Sequence, residues 1–125
     1  AMPERLNTAE FKQKVFDFEK SQVWKYEGEL PCIVDFYADW CGPCRMVAPL
    51  LEQVSKDYAG KLEVYKVNTD EEPDVAQAFG IQSIPSLLFV PREGQPRMAV
   101  GALPRKEIDR VIGEVLAVEP KASGV

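Results

Sequence analysis

Apolar residues along the chain recur at two different spacings, which together predict alternating helices and strands. Helical spacing, with apolar residues three or four positions apart, occurs in three segments: residues 11–18, 47–58 and 108–116. An N-cap is predicted at residues 7–8, and Pro104 opens the last helix. A shorter helix is predicted between residues 70 and 80, where Pro73 suits the first turn and Gly80 the C-terminal cap.

Other segments are near-continuous apolar runs, as expected for strands covered on both faces of a sheet: residues 30–38, 62–67 and 84–90. A turn at residues 91–94 leads into a further strand at residues 97–100, which forms a hairpin with the preceding one. Strands that alternate with helices usually pair in parallel. We therefore predict one α/β domain over residues 1–125, with parallel strands and an antiparallel C-terminal hairpin. Its core is expected at about residues 8–118, between flexible ends at residues 1–6 and 119–125.

Composition removes several classes of function. The 125 residues carry 15 Lys and Arg against 20 Asp and Glu, a formal net charge of −5. This balance argues against a nucleic-acid partner, because such proteins normally present a basic surface. The chain has no histidine and three cysteines, which excludes histidine-dependent catalysis, a four-thiolate zinc site and a disulfide-rich scaffold. No apolar run approaches the roughly 18–20 residues of a membrane-spanning helix, so we expect no membrane insertion. Without histidine and with only three cysteines, we expect no metal site.

Two of the cysteines, Cys41 and Cys44, lie three positions apart where a strand passes into a helix. Two sulfurs in the first turn of a helix can close a disulfide without moving the backbone. The free N–H groups and partial positive charge of the helix start favour the thiolate at Cys41. The alternative is half of a metal site, including an iron–sulfur cluster shared between two chains, but no second ligand pair accompanies these cysteines. The spacing therefore favours thiol–disulfide exchange.

With these motifs in view, the chain resembles the thioredoxin family from about residue 11 to residue 116. The resemblance is carried by residues 35–44 (DFYADWCGPC), by Pro49, by residues 84–86 (IPS) and by residues 100–102 (VGA). Two departures are visible. Tyr37 stands where many thioredoxins carry tryptophan, and the segment 18–30 is a few residues longer than usual.

The resemblance implies the thioredoxin fold, a central mixed sheet flanked by helices, and a dithiol–disulfide oxidoreductase without a bound cofactor. Cys41 is then the nucleophile, and Cys44 resolves the mixed disulfide. The implied partners are disulfide-containing protein substrates and a thioredoxin reductase or equivalent electron donor. We expect the chain to act as a monomer.

Asp35 is the one charged residue in the strand that leads into the dithiol. A carboxylate among Ile33, Val34, Phe36 and the following aromatic residue is costly to ionise, so its pKa is expected to rise and Asp35 to accept the Cys44 proton. The alternative is an edge aspartate turned to solvent or used as a cap. By resemblance, Lys66 lies near this carboxylate and modulates its pKa, the alternative being an ordinary surface lysine.

An apolar rim around the dithiol is expected to bind substrate. Sequence alone favours a trans bond before Pro85, but the resemblance implies a cis bond and a loop that faces Cys41. The backbone of Ile84 would then pair with an extended segment of the substrate. The predicted rim consists of Trp40, Gly42, Pro43, Ile84, Pro85, Val100 and Gly101.

Cys32 begins the same strand as Asp35. A strand rises about 3.3 Å per residue, which places Cys32 beyond the reach of a disulfide with Cys41. We interpret it as a small buried hydrophobic residue. The alternative is a surface thiol open to intermolecular oxidation.

The residues between the two cysteines bear on the direction of electron flow. Oxidising relatives often place histidine there, whereas this chain has Gly42 and Pro43, which favours the disulfide and predicts a reductant. The known reduction potential of thioredoxin itself is about −270 mV, against about −120 mV for strong oxidants. We expect a cytoplasmic protein, or a periplasmic one if a signal peptide has been removed. The other functions considered are a reductant or sensor with one client and a binding scaffold that needs no dithiol.

Overall fold

A computed structural model describes residues 2–122 of the chain, and the strands in it form one five-stranded sheet. The strands are β1 (Glu4–Arg5), β2 (Cys32–Tyr37), β3 (Glu63–Asn68), β4 (Ser86–Val90) and β5 (Arg97–Val100). The helices are α1 (Thr8–Lys14), α2 (Gly42–Asp57), α3 (Pro73–Ala78) and α4 (Arg105–Val111), which continues as a π-helical turn at Ile112–Leu116. The order of helices and strands predicted from the apolar spacing is confirmed from α1 to α4, and the additional strand β1 precedes it.

The sheet has the order β1-β3-β2-β4-β5, with β2 at its centre. β1, β3 and β2 are parallel, whereas β4 runs antiparallel to both β2 and β5. The antiparallel part of the sheet, expected at the C-terminal hairpin, therefore includes the pairing of β4 with β2 as well. Six-residue α3 is only about 9 Å long, whereas a six-residue strand such as β3 spans about 20 Å. The chain thus re-enters the sheet at the end where β3 finishes.

The N-terminal residues differ from the expected flexible end at residues 1–6. Glu4 and Arg5 pair with β3, and the Leu6 side chain is buried in the core. A strand of two exposed residues has no alternating pattern, so the sequence did not indicate it. At the other end, the backbone N–H of Lys121 donates to the Asp57 carbonyl at 2.8 Å. The expectation for residue 1 and residues 123–125 lies outside the described residues.

Helix α1 begins as predicted and ends earlier than predicted. The Asn7 side chain accepts a hydrogen bond from the Glu10 N–H, and the Glu10 carboxylate accepts one from the Asn7 N–H, which together form a capping box. The helix was expected to reach Phe18 but stops at Lys14. Asp17 caps a following turn through hydrogen bonds from Glu19 and Lys20. Local side-chain bonds of this kind compete with continued helix.

Apolar side chains cover both faces of the sheet. On one face, Ile33 of β2 packs with residues of α2 and α4, including Val47, Leu51 and Ile108. The opposite face packs against α1 and α3 and contains the buried residues Leu6, Phe11, Val15, Cys32, Val34, Phe36, Tyr65, Val67, Val75, Leu88 and Val90. Both cores meet at β2, which leads directly into the dithiol at the start of α2.

Candidate active site

Cys41 and Cys44 are joined by a disulfide at the start of α2, with 5.3 Å between their Cα atoms. Cys41 is the N-cap of α2, and its Sγ accepts a hydrogen bond from the Cys44 N–H at 3.2 Å. Pro43 occupies the first turn, where its missing N–H costs no hydrogen bond. An amide N–H and the positive end of the helix dipole thus point at the sulfur of Cys41 and stabilise negative charge there.

The Ile84–Pro85 bond is cis, as the resemblance predicted. The loop it forms lies against the dithiol, with the Ile84 carbonyl oxygen 3.8 Å from Cys41 Sγ. Gly101 closes the loop from the other side, because its N–H donates to the Pro85 carbonyl at 2.8 Å. Its φ of +107° lies in the region that favours glycine. The structure therefore brings Ile84, Pro85 and Gly101 together around Cys41.

The predicted rim is uneven in exposure. Trp40 is 70% exposed and Val100 is 62% exposed, whereas Pro85 is buried and Ile84 is half-buried. The Trp40 indole N–H donates to the Asp70 carboxylate at 2.8 Å, which fixes the ring beside the disulfide. Gly42 and Pro43 are exposed between these residues.

Two residues not predicted from the sequence, Met46 and Asp70, also lie at this surface. Met46 is 70% exposed and follows Pro43 by one turn of α2. A large apolar residue outside the buried stripe of a helix was the available signal for it. Asp70 sits in the loop after β3, and nothing in its local sequence indicates that it binds Trp40.

Asp35 lies behind the disulfide, on the face of β2 that is turned toward α2. Its side chain is buried, and Oδ1 has no hydrogen-bond partner among the described residues. Burial raises the pKa of Asp35 to about 7, and the charge of Lys66 opposes part of that rise. Asp35 and Cys44 line the same cavity of about 180 Å³. The predicted buried carboxyl group therefore lies at the same cavity as Cys44.

Lys66 lines that cavity as well, and it is the register partner of Asp35 on the adjacent strand β3. Its ammonium lies 4.6 Å from the centre of the Tyr37 ring. Among the described residues, no carboxylate oxygen lies within the 4 Å of an ion pair with this ammonium. Lys66 thus contributes positive charge near Asp35 without direct contact.

Cys32 is a free thiol that lies apart from the dithiol, at the opposite end of β2. It is buried, and burial raises the pKa of its thiol to about 12. This agrees with its interpretation as a small buried hydrophobic residue.

Within residues 2–122, the structure forms no group of three or more His, Cys, Asp or Glu side chains suited to a metal ion. No helix in that same range has the length and apolar character needed to cross a membrane.

Known proteins resemble this chain over most of its length. The sequence profile of the Thioredoxin family matches residues 3–114. A thioredoxin of Borreliella burgdorferi is 43% identical over 107 residues, covering 86% of this chain and 92% of that protein. A thioredoxin of Synechocystis sp. is 41% identical over 112 residues, covering 90% and 95%.

A solved structure agrees with these matches. The crystal structure of chloroplastic thioredoxin z superposes with a TM-score of 0.78 at 28% identity, covering 94% of this chain and 97% of that one. The cysteine pair at the start of α2 and the cis-proline loop facing it thus occur in a chain whose sequence and fold both match. The chain belongs to the thioredoxin family and is a thiol–disulfide oxidoreductase with the redox-active pair Cys41–Cys44.

Proposed function

We propose that this oxidoreductase works as a reductant of protein disulfides, with Cys41 as nucleophile, Cys44 as resolving thiol and Asp35 as proton acceptor. The observation that carries the proposal is the placement of the dithiol between an open surface beside Cys41 and a buried carboxyl group beside Cys44. Membership of the family implies disulfide-containing protein substrates and a reductase that returns electrons to the pair.

In the first step, the Cys41 thiolate attacks one sulfur of the substrate disulfide. A bond forms between Cys41 Sγ and that sulfur, and the other substrate sulfur leaves as a thiolate that takes up a proton. The hydrogen bond from the Cys44 N–H and the start of α2 support this assignment, since both stabilise the thiolate at Cys41.

In the second step, Cys44 gives its proton to Asp35 and attacks Cys41 Sγ. The bond between Cys41 Sγ and the substrate sulfur breaks, that substrate sulfur leaves as a thiolate, and the Cys41–Cys44 disulfide forms. Two electrons have then passed from the dithiol to the substrate. The raised pKa of Asp35 supports this role, because a base with a pKa of about 7 binds and releases protons near neutral pH.

Substrate binding is assigned to the rim predicted from the sequence. The registers of β4 with its neighbours stop at Ser86, so the backbone of Ile84 lies outside the ladder and beside Cys41. An extended substrate segment that pairs with Ile84 would place its disulfide at Cys41. Exposed Trp40 and Val100 flank that position and supply apolar contacts.

Lys66 is proposed to modulate Asp35 by its charge, and a thioredoxin reductase or equivalent enzyme to supply the electrons. The monomeric state stays a prediction, as does the cytoplasmic location. Reduction of cellular disulfides requires an environment in which the dithiol form is regenerated, and the cytoplasm maintains thiols in that form.

The test is reduction of a model protein disulfide by the wild-type chain and by the Cys41→Ser and Cys44→Ser variants. Both variants are expected to lose catalytic turnover. Only Cys44→Ser is expected to accumulate a mixed disulfide, linked through Cys41, which mass spectrometry of a tryptic digest locates. A mixed disulfide at Cys44 in the Cys41→Ser variant, with none in Cys44→Ser, would reverse the assignment.

The reduction potential of the pair tests the direction of electron flow. Equilibration with a dithiothreitol buffer is expected to give about −270 mV, which is the value already known for thioredoxin itself. A value above about −180 mV would instead indicate an oxidant or isomerase.

A further inference from the structure

The aromatic ring of Tyr37 and the ammonium of Lys66 form a cation–π pair inside the Asp35 cavity. The Lys66 ammonium lies 4.6 Å from the ring centre, within the about 6 Å over which a ring attracts a cation. Asp35 and Tyr37 are two residues apart in β2, so their side chains share one face of the strand. Lys66 is the register partner of Asp35 in β3. Its ammonium therefore has two attractive neighbours, a carboxyl group and an aromatic face.

The Tyr37 ring is held in place from several sides. It is nearly buried and packs with Ala38, Cys41, Cys44 and Ile84. Arg5 lies near enough to act on its phenol group by charge. A ring fixed in this way cannot follow the longer and more flexible lysine side chain, so the ring determines where the ammonium rests.

We propose that Tyr37 is a positioning residue that holds the Lys66 ammonium over its ring and so prevents a direct ion pair between Lys66 and Asp35. The absence of such an ion pair among the described residues supports this, because Lys66 and Asp35 face each other across adjacent strands. Tyrosine at this position is also one of the two departures of the sequence from the family pattern.

The consequence concerns the acidity of Asp35. An ammonium in contact with a carboxylate lowers the carboxyl pKa strongly, whereas one held at a distance lowers it less. Tyr37 thereby keeps Asp35 in the range where it exchanges protons near neutral pH. The expected effect of Tyr37 on catalysis rests on the proposed role of Asp35. Its expected effect on the pKa of Asp35 does not depend on that role.

The titratable or charged groups around the two cavities that Asp35 lines are Tyr37 in β2, Asp39 after β2, Lys66 in β3, and Cys44, Arg45 and Glu52 in α2.

The experiment follows the carboxyl carbon of Asp35 by NMR through a pH titration of the oxidised protein. Tyr37→Leu removes the ring and is expected to lower the pKa of Asp35 by roughly one unit, the scale for an ammonium that moves about 2 Å closer at an effective dielectric constant of about 20. Tyr37→Phe keeps the ring and is the matched control, with a pKa close to that of the wild type. Lys66→Met is expected to raise the pKa of Asp35. In a chain that already carries Lys66→Met, adding Tyr37→Leu is expected not to lower the pKa of Asp35.

A measurement on the unmodified chain avoids any loss of folding in Tyr37→Leu. The ε-methylene protons of Lys66 are expected to resonate upfield of those of the other lysines, because they lie over an aromatic ring. Lys66 resonances without an upfield shift would overturn the proposal. An Asp35 pKa that stays constant or rises in folded Tyr37→Leu would also overturn it.

The rate at which the mixed disulfide resolves, measured against pH, separates this inference from the proposed function. If the Asp35 titration moves in Tyr37→Leu and the pH profile of resolution moves with it, both are supported. If the titration moves while the profile stays, Tyr37 positions Lys66 as inferred, and the assignment of Asp35 as the proton acceptor is wrong.

Discussion

The two faces of β2 differ in how completely their side chains are packed, although their residues alternate along one six-residue strand. On the face toward α1 and α3, the side chains of Cys32, Val34 and Phe36 pack into an apolar core. The thiol of Cys32 is the one polar group among these three side chains. The face toward α2 begins with Ile33 and continues with a carboxyl group and a phenol: Asp35 and Tyr37. Cavities of about 180 Å³ and about 170 Å³ adjoin the carboxyl group.

This difference separates stability from chemistry within one strand. Close packing gives each apolar side chain its full transfer and dispersion energy, which stabilises the fold. The Asp35 side chain costs stability, because a buried carboxyl group without a hydrogen-bond partner is costly to ionise. The same cost produces a group that titrates near neutral pH beside Cys44. Substitutions on the two faces should therefore act in opposite directions on the free energy of unfolding.

Phe36→Ala is expected to have the largest effect. Phe36 is fully buried and its ring centre lies 5.8 Å from that of Phe79. Removal of a buried phenylalanine side chain costs about 3–5 kcal/mol of the free energy of unfolding. Urea denaturation of the oxidised protein measures the loss directly.

The activity of Phe36→Ala sharpens the comparison. On the packed face of β2 the side chain points away from the dithiol, so disulfide reduction per folded molecule should stay within about twofold of wild type, or about 0.4 kcal/mol. A destabilisation under about 1 kcal/mol, or a large loss of activity in molecules that remain folded, would show that the two faces are not separate in this way.

Asp35→Asn is expected to stabilise the protein at alkaline pH. Because burial raises the pKa of Asp35 to about 7, the folded state holds this proton more tightly than the unfolded state does. The free energy of unfolding of the wild type should therefore fall as pH rises from about 4 to about 7 and stay low above that. An uncharged amide removes this dependence, so the variant should gain on the order of 3–4 kcal/mol at pH 8 and little at pH 4.

Denaturation curves of wild type and Asp35→Asn at four pH values between 4 and 8 test this expectation, and Asp35→Ala repeats the test without a buried amide. Resolution of the mixed disulfide should slow in both variants. Parallel pH profiles of stability for wild type and variants would mean that Asp35 does not titrate near neutrality in the folded protein.

The sequence predicted those features that depend on neighbours along the chain. Apolar spacing located the helices and the central strands, the dithiol followed from its place between a strand and a helix, and Asp35 stood out as a charge in an apolar strand. Features that depend on distant residues were not indicated. β4 is antiparallel because α3 is too short to carry the chain back, and β1 has two residues and no periodicity. The contact between Lys66 and Tyr37 crosses two strands, so no local pattern indicates it.

Cys32 provides the smallest expected effect and the finest test of the packed face. Its thiol is fully buried at the start of β2 and belongs to the apolar core. Cys32→Ser replaces sulfur by a smaller and more polar hydroxyl, whose burial costs about 1–3 kcal/mol. Thermal or urea denaturation should show that loss, with the rate of disulfide reduction unchanged.

Cys32→Ala is the matched control, because it removes the sulfur without adding a polar group. The serine variant should be less stable than the alanine variant, since only the hydroxyl must be taken out of water. Equal stability of the two would mean that the hydroxyl finds a hydrogen bond and that this end of the packed face tolerates polar atoms. The contrast between the faces of β2 would then be limited to Val34 and Phe36.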